Sequence, residues 1–364
     1  VPYLVEPSER TTYVAMIDWD RYDTEQLPPC DGASIDAIRV VFPHGKHKEG
    51  LAVAEKIRAK GYRVFLQAAN TMAYSDADLE DLVEAVNAFS PVALSVVDTF
   101  GAMYEEDLER IVRVIDAKLD KAIGLGFHSH NNQQLSFALT IRFIDLLETS
   151  GRTVMVDASL CGMGRGAGNA TTELVASYLN RKKHGNYDLD AILDAIDTYM
   201  EPFQQAYTWG YSTPYFVAGL YQCHVNNIAY LQRNHRANAR DMRNIIASLS
   251  QGERRKYDYD LLERRFLENQ SRHVDDEAAI RALRKAFGER TILLIAPGRS
   301  VVDEMQQVQA FIDQEHPVVM GVNAICNGYD YDYLFFVNSA RYDYAQNAHG
   351  TSFAAAKKIV LSSI

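Results

Sequence analysis

Cysteine is scarce in this chain. Four residues of 364, Cys30, Cys161, Cys223 and Cys326, lie scattered with no CxxC pair. They read as the reduced thiols of a cytoplasmic protein, although their even number leaves disulfide pairing open. No apolar run approaches the ~20 residues that a membrane helix needs, and no signal peptide opens the chain. Positive charge is also in deficit, with 48 Asp and Glu against 37 Lys and Arg and a formal net charge of −11. Affinity for nucleic acid or for an anionic membrane needs clustered positive charge, so neither is an expected partner. The basic stretches RKKH (181–184) and GERRKY (252–257) are short and isolated, and read as solvated helix ends. An initiator Met is missing as well, and the opening VPYLVEP is that expected of a processed, truncated or partial product.

What is present is a chain of ordinary globular composition, 47% hydrophobic and 23% charged. Its length predicts two or three domains. Residues 1–10 read as irregular. From there a β-then-α rhythm repeats. Strands are expected at TTYVAMIDW (11–19), AIRVVFP (37–43), YRVFLQAAN (62–70), VALSVVDTFG (92–101), AIGLGFHSH (122–130) and TVMVDASL (153–160). Amphipathic helices separate them, one closed by Gly61 and another capped by Ser75. Nearly continuous apolar strands in this rhythm predict a parallel sheet buried on both faces. Six strands suffice for an open doubly wound sheet, whereas a closed barrel needs eight. From about Tyr187 to Phe287 the pattern is helical and aromatic-rich. The βα rhythm restarts at 291 with TILLIAPGRS, a helix over VVDEMQQVQAFIDQEH, and strands at PVVMGVN, YDYLFFVNSARY and KKIVLSSI. This last segment reads as a small Rossmann-like domain that lacks a final helix. The turn APGRS (296–300) could cradle a phosphate, but short Pro-Gly turns after strands are common.

The most informative stretch is GFHSHNN (126–132). Residues two apart on a strand point to one face, so His128 and His130 can converge on one point at a strand end. HxH is short and common, and local hydrogen bonding accounts for many such pairs. Here the strand before it is wholly apolar, and Asn131 and Asn132 follow, where they could fix the ring tautomers or touch a ligand. Neutral imidazoles suit Mn²⁺, Zn²⁺, Co²⁺ or Fe²⁺, and with oxygen ligands they can share a Mg²⁺ site. Some thirty residues on, CGMGRGAGN (161–169) is a glycine-rich turn after a strand. Gly162 and Gly164 open a GxGxxG-like pattern, but it closes the last βα unit where a dinucleotide fingerprint would open the first. Asn169 is placed to cap the next helix, to ligate a metal, or both.

Together, GFHSHNNQQLSFA (126–138) and VDASLCGMGRGAGNATTE (156–173) resemble the 3-hydroxy-3-methylglutaryl-CoA lyase-like group of metal-dependent TIM barrels. Within it the 4-hydroxy-2-oxovalerate aldolase type is the nearest resemblance. VVDTFG (96–101) and GYRVFLQAAN (61–70) fit the same pattern, which covers about residues 10–182. The resemblance implies a partial (β/α)8 barrel over 1–182 that lacks its first two strands. A helical dimerisation region over 183–288 and the Rossmann-like domain over 289–364 follow it. It implies a divalent metal, Mn or Mg before Zn or Co, held by His128, His130 and Asn169. Asn131, Gln67, Asp98 and Gly164 are expected at the substrate or around the ligands. The implied reaction is cleavage or formation of a C–C bond beside a 2-oxo acid, in a cytoplasmic homodimer. The family's leucine-arginine-aspartate-glycine strand, source of one metal ligand and of the arginine that steadies the enolate, is absent. Asp18, Asp98 and Asp157, all at strand ends, are the carboxylates that could substitute. No general base can be named from the sequence. The competing expectation is a non-catalytic barrel remnant, an assembly module whose C-terminal domain binds a nucleotide or sugar phosphate.

Overall fold

The computed structural model describes residues 11–33, 35–235, 237–270 and 276–360, so the stretch read as irregular at 1–10 lies outside the described residues. Six parallel strands pair in chain order: β1 (Val14–Asp18), β2 (Ala37–Pro43), β3 (Arg63–Ala69), β4 (Ala93–Asp98), β5 (Gly124–Ser129) and β6 (Val154–Val156). Between and after them run α1 (His47–Ala59), α2 (Asp76–Phe89), α3 (Glu105–Lys118), α4 (Ser136–Leu146) and α5 (Thr172–Lys182). Strand order decides between the two sheets that composition left open. A doubly wound sheet reverses direction at a switch point, whereas a barrel adds each strand to the same edge. The order here never reverses. The sheet has six strands where closure takes eight, and its edge strand β1 leaves Val14 and Met16 exposed.

The local rules that shape these units are visible in the sequence. Gly61 takes φ +93° just past the end of α1, a conformation with no Cβ penalty for glycine. Ser75 and Asp78 form a reciprocal capping box at the start of α2. On the helix side of the sheet, Val40, Leu66, Leu94 and Phe127 pack with Ile57, Leu82, Ile111 and Phe143 as one apolar core. Phe127 and Phe143 stack with ring centroids 5.3 Å apart. On the other face, Ala37, Phe65, Ala93 and Met155 form a small apolar floor. Two residues further along each strand that face turns polar, with Arg39, Gln67, Ser95 and His128. The strands thus present a greasy base and a polar rim.

The segment after α5 is helical as expected: α6 (Leu189–Ala195), α7 (Glu201–Ala206), α8 (Thr213–Leu220), α9 (Val225–His235), α10 (Ala239–Ser248), α11 (Gln251–Arg255) and α12 (Tyr259–Gln270). The chain divides into compact units at Phe266/Leu267. The second unit takes in the last residues of α12 and then α13 (Glu277–Phe287). It holds a four-stranded parallel sheet in chain order, β7 (Ile292–Ile295), β8 (Val318–Val322), β9 (Tyr333–Phe336) and β10 (Lys357–Val360). Two expectations there need correction. The helix over 301–316 is divided at Glu304 into α14 (Arg299–Asp303) and α15 (Met305–Glu315). YDYLFFVNSARY is a strand only to Phe336, because the Asn338 side chain accepts from Arg341 N–H and caps α16 (Ser339–Ala348). A short helix α17 (Gly350–Ala355) precedes β10. Among the described residues, no helix is long and apolar enough to cross a membrane.

Candidate metal centre

His128 is the last but one residue of β5, and its ring lies on the polar face of the sheet. Its Nδ1 is 3.0 Å from Asp157 Oδ2. The same carboxylate takes both arms of the Arg39 guanidinium, at 2.5 and 3.1 Å. A carboxylate can only accept, so His128 Nδ1 carries a proton, and in the neutral ring Nε2 presents its lone pair. Burial alone would raise the Asp157 carboxyl, but the His128 hydrogen bond and the Arg39 charge hold it below the usual carboxylate range. His130 is fixed in the same way by another partner, with Nδ1 3.0 Å from the Asp98 carbonyl oxygen. Burial pushes its pKa down to about 4, so it is neutral near pH 7. The two rings stand edge to face, with centroids 4.9 Å apart.

The glycine loop folds back onto this strand end. Asn169 forms a bridge with His130, and the Asn131 amide donates to the Gly168 carbonyl at 2.8 Å. Gly168 sits at φ +92°, and a Cβ there would lie 2.0 Å from the Gly162 carbonyl oxygen. A Cβ on Gly164 would lie 2.6 Å from the Asn169 amide. Gly164 therefore acts by leaving room for Asn169. The Asn169 Nδ2 donates to the Met163 carbonyl at 3.0 Å, while its Oδ1 is buried and has no hydrogen-bond partner. Buried polar groups are almost always paired, so an orphaned oxygen on a residue bridged to His130 points to a ligand. Two imidazole nitrogens and an amide oxygen fit a divalent cation whose remaining positions go to water or substrate oxygens.

Other residues expected at the site have other duties. Asp98 is buried, and its carboxylate accepts from the Ala102 and Met103 amides at 2.9 and 3.2 Å. Burial pushes its pKa up to about 6, and its backbone carbonyl accepts from His130 Nδ1. Asp18 is exposed, 3.6 Å from Arg21. Among the described residues, no group of three or more His, Cys, Asp or Glu side chains gathers as a metal cluster. Asn131 Oδ1 accepts from Ser136 N–H, and Asn132 ties the Phe100 carbonyl to the Ala167 amide. Neither asparagine fixes a ring tautomer: the Asn131 side chain turns into the segment that follows β5, and that of Asn132 spans the loops after β4 and β6. Nor is Asn169 a helix cap: α5 starts from Thr171. Gln67 is buried on the polar face with Oε1 unpartnered.

Arg39 was not anticipated, although it is the only charge in AIRVVFP. His224, from the helical region, also reaches this end of the sheet, where it lines a cavity with His130 and Arg165. Trp209 Nε1 donates to the Cys161 carbonyl at 2.8 Å, so the helical region packs on the glycine loop of its own chain.

Residues 45–198 match the HMGL-like family. The chain carries an HMGL-like domain. The oxaloacetate decarboxylase of Mycobacterium tuberculosis is 28% identical over 165 residues, 45% of this chain and 47% of that protein. The 4-hydroxy-2-oxovalerate aldolase of Thermomicrobium roseum is 30% identical over 156 residues, 40% of this chain and 42% of that protein. The chain thus spans less than half the length of these curated relatives. The N-terminal domain of a candidate aldolase from Bacteroides vulgatus shares the fold. That match has a TM-score of 0.53 at 23% identity and covers 61% of this chain and 73% of that one. The HMGL-like span contains both histidines, Asn169 and Asp157. Arg39 lies upstream of it and His224 downstream.

Proposed function

We propose that this chain is a divalent-metal-dependent carbon–carbon lyase acting beside the carbonyl of a 2-oxo acid. One observation carries the reading: both strand-end imidazoles have Nδ1 engaged, which leaves Nε2 as the free nitrogen, and Asn169, bridged to His130, has an orphaned Oδ1. A bound Mn²⁺ or Mg²⁺ (Zn²⁺ or Co²⁺ less well matched to oxygen-rich ligation) would polarise the carbonyl oxygen as a Lewis acid. His128, His130 and Asn169 would hold it. Asp157 keeps His128 in its tautomer, and Arg39 keeps Asp157 ionised. Gln67, on the same face, has a free acceptor for a substrate hydroxyl. The apolar floor of Ala37, Phe65, Ala93 and Met155 shuts the base of the site to water.

Leu193, Tyr199, Phe203, Tyr207 and Tyr211 are exposed along one short stretch, which supports a homodimer formed through the helical region. Four free cysteines support a reducing compartment such as the cytoplasm.

The test is to incubate the purified chain with Mn²⁺ and 4-hydroxy-2-oxovalerate and to follow pyruvate and acetaldehyde. Equimolar products that vanish with chelator and in His130→Ala are expected. Oxaloacetate in a parallel assay would give pyruvate and carbon dioxide. No pyruvate from either acid, or formation indifferent to chelator, contradicts the reading.

A further inference from the structure

Beside the metal centre lies a cavity of about 90 Å³, room for a group of a few heavy atoms. Phe100 and Val225 form its apolar walls, and Thr99, His130, Arg165 and His224 supply its polar atoms. Apart from the lone pair on His130 Nε2, which the metal reading assigns to the cation, the free polar atoms of His224, Thr99 and Arg165 are donors. His224 Nδ1 accepts the Asn226 amide at 3.1 Å, so in the neutral ring the proton sits on Nε2. Burial first, and then the charges of Arg165 and Arg21, lower the His224 pKa and keep that ring neutral. His224 is therefore the opposite tautomer to His128 and His130: they present lone pairs, and it presents an N–H. The Thr99 oxygen already accepts from the Asn70 amide at 2.7 Å, which leaves its hydroxyl proton to give. The Arg165 carbonyl accepts from the Gly168 amide, but its guanidinium has no hydrogen bond or ion pair among the described residues. A guanidinium, an imidazole N–H and a hydroxyl around an apolar-walled space make a complementary set for a planar anion.

We propose that this cavity binds a second carboxylate of the substrate, with Arg165 and His224 as the residues that select 2-oxo acids carrying one. The inference rests on the lyase reading above, and it deepens that reading by naming the substrate class. His130 faces both the metal position and the cavity, so the carboxylate would sit only a few bonds from the reacting carbonyl. Arg165 belongs to the glycine loop, while His224 belongs to the helical region beyond the HMGL-like span. The selectivity is thus a property of how this chain packs its own helical region onto the loop.

The experiment compares two acids of equal length, 2-oxoglutarate and 2-oxovalerate. They differ only in a terminal carboxylate against a methyl, and neither carries the 4-hydroxyl that cleavage needs. Each is titrated calorimetrically into the Mn²⁺-loaded full chain and into the chelator-treated chain. The wild type should bind 2-oxoglutarate about tenfold or more tightly than 2-oxovalerate, as expected for a charge-assisted contact. Arg165→Ala and His224→Asn should each remove that preference and leave 2-oxovalerate binding unchanged. Equal binding of the two acids, or a preference that both variants retain, overturns the carboxylate cavity and leaves the metal reading standing. A preference that persists without metal and still depends on Arg165 upholds the cavity and removes the metal reading. No binding of either acid in any state overturns both.

Discussion

At the residue scale the decisive groups are those that hold the histidines. Asp157 illustrates why a carboxylate near a metal position need not be a ligand. Both of its oxygens are engaged, one by Arg39 and the other by Arg39 and His128, so its contribution is to orient an imidazole. Such partners typically tune metal affinity by ten- to a hundredfold. Asp157→Asn should therefore weaken Mn²⁺ binding by about that factor while leaving His128 and His130 in place, read by calorimetric titration. Unchanged affinity would contradict the orienting role. The histidine pair was legible because a strand fixes the relative direction of residues two apart. Its partners were not. Arg39 and Asp157 stand 118 positions apart and meet only once the sheet curves, and no local pattern encodes that contact. Asn131 and Asn132 misled for the complementary reason. Adjacency in sequence suggested contact with the rings, but the chain turns between them.

At the scale of elements, periodicity and capping carried most of the information. The run AIRVVFP became β2 without a residue's difference, and Ser75 caps α2 as its position before LEDLVEAVNAF implies. The Ser75–Asp78 box also makes a pH-dependent prediction. Hydrogen bonds from the Ser75 side chain and then its backbone amide, with help from His44, hold the Asp78 carboxyl at about 2. A depressed carboxyl stabilises the folded state above its unfolded pKa of roughly 4, and that contribution is lost as pH falls toward the folded value. Ser75→Ala should cost about 1 kcal/mol in urea unfolding at pH 7. The gap between variant and wild type should narrow as pH falls below 4. A gap independent of pH would contradict the reciprocal box. Element type failed where a strand-like composition ran through a cap. In YDYLFFVNSARY the aromatic residues favour a strand, but Asn338 offers its side chain to the backbone and starts a helix instead.

At the scale of the whole molecule, composition could not choose between a barrel and a doubly wound sheet, because both need buried parallel strands. Pairing order made the choice, and pairing order is a long-range property. The same scale joins the glycine loop to the helical region through Trp209, His224 and Val225, which gives the metal centre its neighbouring cavity. All of this sits in the first compact unit, ending at Phe266, so the metal reading makes no demand on the second. Its most direct test is the metal content of the purified full chain after reconstitution with Mn²⁺, beside His128→Ala and His130→Ala. The account predicts about one tightly held ion per wild-type chain and its loss in each variant. A wild type that holds no stoichiometric metal, or variants that retain it, would contradict the account at its centre.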